Sequence, residues 1–230
     1  MSNTPLLILH GALGAAAQMQ QLVPFLEADF STHTLDFHGH GGVAPITDQF
    51  NIAGFGQQVL RFLDQHQLNT VNIFGYSMGG YVATWLAIHH PTKVEKVMTL
   101  ATKWDWNPEG AAKEVKMLNP KVIAKKVPHF AKALADRHHP ESWEQQMELT
   151  AQMMLNMGNQ PPVTPEGLTA VKHPYQLLLG DSDKMVSQEE TIATRNHLAK
   201  AEFKLLENTP HPFEKVNLEQ LANEIKAFFA

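Results

Sequence analysis

The 230-residue sequence has no cysteine, no lysine or arginine before Arg61, and no uncharged apolar stretch near the roughly 20 residues that a membrane-crossing helix requires. Lack of cysteine removes disulfides, thiolate metal sites and cysteine nucleophiles together, and fits a reducing compartment. The apolar start over residues 6–17 has no basic residue ahead of it, so it does not read as a secretory signal. A cytoplasmic protein without a membrane partner is expected. An excess of basic charge is missing too: 18 Lys and Arg face 23 Asp and Glu, for a net charge of -5, which gives nothing to hold a nucleic-acid backbone.

What is present is ordinary globular material. With 43% hydrophobic residues, 14 glycines and 14 prolines, the chain can bury one good core without disulfides or metal. Short apolar runs at 6–9, 34–37, 71–74 and 94–100 alternate with segments at 18–26, 52–67 and 79–89 whose apolar residues recur at helical spacing. That alternation is the rhythm of parallel βαβ units. It stops at Lys103. From there to residue 172, helix starts recur as a capping residue followed by proline, at Asn107-Pro108, Asn119-Pro120 and Thr164-Pro165. The rhythm resumes with a strand at 175–179, a helix at 188–198, a strand at 202–206 and a helix at 216–229. Residues 1–102 and 173–230 therefore read as one α/β body, and 103–172 as a helical cap inserted into it.

Chemistry concentrates in a few loops. Gly75-Tyr76-Ser77-Met78-Gly79 lies where the strand at 71–74 hands over to a helix. A shuffled chain of this composition contains Gly-x-Ser-x-Gly only roughly 2% of the time. A serine on such a turn is presented at the carboxyl edge of the sheet, and Met78 can aim its backbone N–H at a developing oxyanion. His10-Gly11-Ala12-Leu13-Gly14 follows the first strand, and the Ala12 N–H can supply a second donor. A serine nucleophile needs a base and the base an orienting acid. The strand at 175–179 is followed by Gly180-Asp181-Ser182-Asp183-Lys184-Met185-Val186, and that at 202–206 by the loop carrying His211. Asp183, Asp105 and Asp181 compete as the acid, and His211 is preferred over His197, which falls inside a helix. Leu13, Trp104, Met153 and Met185 are expected to line the substrate pocket, with Trp106 a further wall. Met147, Met153, Met154 and Met157 share one cap helix, where they pack the cap or line an acyl pocket. Eight of the basic residues fall between positions 103 and 137, and these read as a solvated face rather than an anion clamp. His38-Gly39-His40 offers two imidazoles but no third ligand, so no metal is expected. His89-His90 and His138-His139 read as solvated helix ends.

With these residues in place, the sequence resembles the α/β-hydrolase superfamily from about residue 6 to 229, the cap apart. The order of nucleophile, acid and histidine is that of the family, Gly180, Asp183 and Val186 fit its Gly-x-x-Asp-x-x-Val pattern, and Asp36-Phe37-His38-Gly39-His40-Gly41 is similar to its Asp-x-Arg-Gly-His-Gly turn. The resemblance implies Asp183 as acid and His211 as base. It also implies a mostly parallel sheet of about six strands flanked by helices, without the antiparallel hairpin that opens many members. A cofactor-free serine hydrolase of a small carboxylic ester or thioester is the implied activity. The fold alone also admits a ligand-binding, receptor-like protein, a carbon-carbon bond hydrolase or a menaquinone-pathway lyase.

Overall fold

The computed structural model describes residues 4–230. Its centre is a six-stranded, all-parallel sheet in the order β2-β1-β3-β4-β5-β6. The strands are β1 (Leu6–Leu9), β2 (Thr32–Thr34), β3 (Val71–Tyr76), β4 (Val94–Leu100), β5 (Tyr175–Gly180) and β6 (Ala201–Leu206). Helices α1 (Ala16–Gln20), α2 (Ile52–Gln65), α3 (Met78–His89), α9 (Gln188–His197) and α10 (Leu218–Phe229) connect or flank them. Between β4 and β5 come α4 (Pro108–Val115), α5 (Pro120–Lys126), α6 (Pro128–His138), α7 (Trp143–Asn159) and α8 (Pro165–Ala170).

Alternation along each strand supplies both faces of the sheet. Leu7, Leu9, Val71 and Ile73 pack towards α2 and α3, while Leu6, Ile8, Phe74 and Tyr76 pack towards α1 and α10. A sheet covered on both sides needs near-continuous apolar strands, and β1 and β3 are buried along their whole length. The chain starts in the middle, runs outward to β2, then crosses back to β3 and onward to β6. Order therefore reverses between β1 and β3, the place where open parallel sheets form their crevice.

Several helix starts follow from their caps. The side chains of Asn107, Asn119 and Thr164 accept from the backbone N–H of Gly110, Val122 and Gly167 at 2.8, 3.1 and 3.2 Å. Two local expectations fail. The helix expected over 18–26 breaks into α1 and a tight turn at Val23–Phe25, because Pro24 lacks the N–H and crowds the preceding turn. The strand expected over 34–37 is displaced to Thr32–Thr34, because the Phe37 N–H is taken by the His10 ring and the Asp36 carbonyl by Gln58 instead of by a ladder. The last inserted helix, α8, packs on α3 and α9 of the body, with Leu168 and Val171 in the body's core. Among the described residues, no helix is long and apolar enough to cross a membrane.

Candidate active site

Registry brings the carboxyl ends of the strands level. Leu9 pairs with Gly75, Leu100 with Leu178 and Gly180 with Leu206, so the loops after β1, β3, β4, β5 and β6 open on one edge. Ser77 occupies the sharpest of these turns, with φ 51 and ψ -117, a left-handed conformation that a non-glycine residue adopts at a cost of about 1–3 kcal/mol. The turn is held on both sides. Ser77 N–H donates to the Leu100 carbonyl at 2.8 Å, and Thr102 Oγ1 donates to the Ser77 carbonyl at 3.0 Å. Gly75 and Gly79 are required by contact: a Cβ on the first would strike the Gly80 amide, and one on the second the Leu9 carbonyl.

His211 Nε2 lies 3.5 Å from Ser77 Oγ, a separation typical of such pairs before substrate closes them. Its Nδ1–H donates to Asp183 Oδ2 at 2.8 Å, which leaves Nε2 as the basic nitrogen facing the serine. Asp183 in turn accepts from the N–H groups of Met185 and Val186 at 2.8 and 3.0 Å. Burial alone would raise its pKa, but the hydrogen bond and charge of His211 and the two backbone donors outweigh that and hold it below the usual value. The rival carboxylates lie elsewhere. Asp105 accepts from the Asn107 side chain, and Asp181 accepts from Asn208 and Thr209 N–H, so it braces the loop that carries His211. His197 sits at the end of α9 in a separate groove.

Ala12 and Met78 both face the cavity above Ser77. Met78 is the first residue of α3 and its N–H has no carbonyl one turn earlier to bond, while Ala12 N–H finds no partner among the described residues. Tyr76, which sequence reasoning passed over, donates its hydroxyl to the His211 carbonyl at 2.7 Å. From the cap, Arg137 donates to the Leu13 carbonyl at 2.7 Å and to Glu214 at 2.9 Å, and His138 Nε2–H donates to the same carbonyl at 3.2 Å.

The cavity is lined by Met78, Met153, Met154, Met157 and Met185, with Trp106 and Tyr81 as aromatic walls. Of the expected lining residues, Met153 and Met185 are there and Leu13 and Trp104 are not. Leu13, at φ 57, turns into the small cap cluster of Leu134 and Trp143. Trp104 is turned away by a tight turn in which Trp106 N–H donates to its carbonyl, so its ring lies 5.7 Å from Tyr81 while Trp106 faces the cavity. Met147 packs within the cap beside Trp143. Lys103 alone of the cap's basic residues lines the cavity.

Three histidines near the site are buried, which corrects the solvated reading of His138. Its Nδ1 accepts from Gly41 N–H at 3.1 Å. Burial, first of all, lowers both His10 and His138 to about 4, and lowers His40 well below its usual value. His40 stacks on Phe50 and accepts from Gln146 at 2.9 Å, so it is a packed core residue. Among the described residues, no cluster of three side chains could hold a metal.

Residues 4–171 match the sequence profile of the alpha/beta hydrolase fold. The chain belongs to that family. It is 30% identical over 102 residues to 3-oxoadipate enol-lactonase 2 of Acinetobacter baylyi, covering 44% of this chain and 38% of that one. Over 97 residues it is 36% identical to the pimeloyl-[acyl-carrier protein] methyl ester esterase of Vibrio atlanticus, covering 42% and 36%. The matched stretches thus span little more than a third of these relatives. In structure, a thermophilic esterase from Thermogutta terrifontis superposes with a TM-score of 0.79 at 18% identity, over 98% of this α/β hydrolase and 89% of the esterase, a likeness of fold.

Proposed function

We propose that this α/β hydrolase is a cofactor-free serine hydrolase that cleaves a small carboxylic ester through an acyl-enzyme on Ser77. The observation that carries the reading is the chain of contacts from Asp183 through His211 to Ser77, 2.8 and then 3.5 Å, beside a largely apolar cavity. Ser77 Oγ attacks the carbonyl carbon as its proton passes to His211 Nε2. Asp183 keeps the imidazole in the correct tautomer and stabilises its charge. The N–H groups of Ala12 and Met78 receive the oxyanion. The tetrahedral intermediate collapses, the alcohol leaves with the proton from His211, and water activated by the same imidazole releases the acid. Every step is carried by groups of the chain.

Two relatives are named for lactone and methyl ester cleavage, which favours an oxygen ester over a thioester. Residues 103–172 act as the cap that roofs the site, with α4 supplying Glu114 and α7 supplying Met153, Met154 and Met157 to the cavity wall. The lyase reading would need arginine free to hold an anionic substrate, whereas Arg137 is engaged by Leu13 and Glu214.

The test is steady-state turnover of a panel of p-nitrophenyl esters and acyl-CoA thioesters. Saturable hydrolysis of short oxygen esters is expected. No turnover of any ester, with binding retained, would move the chain to the receptor-like class.

A further inference from the structure

One end of the methionine-lined cavity is polar. Lys103 and Glu114 both line it, and Lys103 Nζ sits 3.8 Å from Glu114 Oε1 and 3.9 Å from Glu190 Oε2, too far for hydrogen bonds with either. The ammonium lies 5.9 Å from the centre of the Trp106 ring. It carries three N–H donors, and none makes a hydrogen bond among the described residues. The side chains of Lys103, Glu114 and Glu190 are only 21, 12 and 11% exposed, and Lys103 and Glu114 line the cavity.

The two carboxylates are not equivalent. Glu190 is occupied, accepting from the N–H of Trp104 at 2.8 Å and from Ser187 N–H at 3.2 Å, where it closes the cap of α9. Glu114 accepts no hydrogen bond among the described residues; Lys103 is its ion-pair partner. A donor and an acceptor with unused capacity therefore stand side by side on the cavity wall. Ser77 and His211 line the same cavity as Lys103 and Glu114.

We infer that Lys103 and Glu114 form a recognition pair for a neutral group on the substrate that both accepts and donates hydrogen bonds, so that the substrate is a small hydroxy or carboxamide ester. Lys103 Nζ donates to the oxygen of that group, and its O–H or N–H donates to the Glu114 carboxylate. Carboxylated arms are disfavoured, because one lysine and two glutamates leave a net charge of -1 at this end of the cavity, and a third carboxylate there is repelled. The inference rests on the ester-hydrolase reading of the same cavity.

The experiment compares kcat/KM of p-nitrophenyl butyrate, its 3-hydroxybutyrate, 3-aminobutyrate and succinate counterparts, and the pair propyl and 3-hydroxypropyl butyrate. It uses the wild type, Lys103→Met and Glu114→Gln. In the wild type the hydroxy ester of at least one pair is favoured about tenfold, the size of one charge-assisted hydrogen bond, and the succinate ester is the poorest. Lys103→Met brings the hydroxy-to-plain ratio close to one, and Glu114→Gln lowers it and improves the succinate ester several-fold. If Lys103 is only a strut between the body and α4, its loss slows hydroxy and plain esters alike and leaves the ratio unchanged, which overturns the inference. A wild-type preference for the succinate or amino ester overturns it as well. Tryptophan fluorescence of Ser77→Ala, titrated with propyl and 3-hydroxypropyl butyrate, separates the two readings. Turnover without hydroxy preference, together with equal affinities, refutes the recognition pair alone. Tighter binding of the hydroxy ester without turnover of any ester refutes the hydrolase and keeps the pair.

Discussion

The Arg137 guanidinium, on cap helix α6, donates to the Leu13 carbonyl at 2.7 Å and with its other arm to Glu214, three residues after His211. One side chain thus grips both the loop that carries Ala12 and the loop that carries His211. Leu13 holds a left-handed φ of 57, so its loop needs such a restraint to keep the Ala12 N–H in the place the proposed mechanism gives it. Arg137→Met is expected to lower kcat about 10- to 100-fold while KM changes less than about threefold, because a misplaced donor is lost in the transition state more than in the ground state. Arg137→Lys, with one point donor instead of a fork, should recover part of the loss. Steady-state kinetics beside a thermal melt checks this; a lowered melting temperature with unchanged kcat would leave Arg137 a structural tie.

The buried histidines make stability depend on pH. In the unfolded chain an imidazole takes its proton near pH 6.5, whereas in the folded protein His10 and His138 do so only near 4. Between those values the unfolded state binds more protons, so the free energy of unfolding falls as pH is lowered from about 6.5 to about 4. Fully buried His10 accounts for about 3 kcal/mol of that loss. Urea midpoints measured at pH 7.5, 6 and 5 should decline steadily. His138→Gln, whose amide can still bond Gly41 and Leu13, should flatten the decline; an unchanged slope would exclude His138 as a contributor.

Asp183→Asn should lower kcat by about 10³–10⁴ with the fold intact, since the imidazole loses the partner that fixes its tautomer. Asp105→Asn should change kcat less than about threefold, because among the described residues its carboxylate bonds only Asn107. Asp181→Asn falls between, through the looser loop beneath His211. Kinetics of the three variants with a circular-dichroism check on folding ranks them, and a larger effect at Asp105 than at Asp183 would reassign the acid.

Legibility in the sequence varied with how local the physics is. The caps at Asn107, Asn119 and Thr164, the fully buried strands β1 and β3, and the Gly75 to Gly79 turn are decided within a few residues, and they stand where the sequence puts them. The pocket walls were less readable. Whether Trp104 or Trp106 faces the cavity depends on one tight turn and on Glu190, 86 positions away in sequence from Trp104. His138 looks like any helix-end histidine until α6 closes over Leu13 and Gly41. A proline in an otherwise helical pattern was the one local signal left unused, at Pro24.

A narrow cavity walled by Met153, Met154 and Met157 of α7 should select short chains. Among p-nitrophenyl esters from acetate to palmitate, kcat/KM is expected to peak at or below about six carbons. Met153→Ala, which removes a buried wall residue, should move the optimum outward by two carbons or more. A preference for long-chain emulsified esters would contradict a roofed site.

The most direct test of the mechanism is covalent. A fluorophosphonate offered to the folded protein should add once per chain, and peptide mass spectrometry should place the adduct on Ser77. Ser77→Ala should take up none and lose about 10⁴-fold or more in kcat. An adduct on another residue, or a folded Ser77→Ala protein that still turns over ester near the wild-type rate, would contradict Ser77 as the nucleophile.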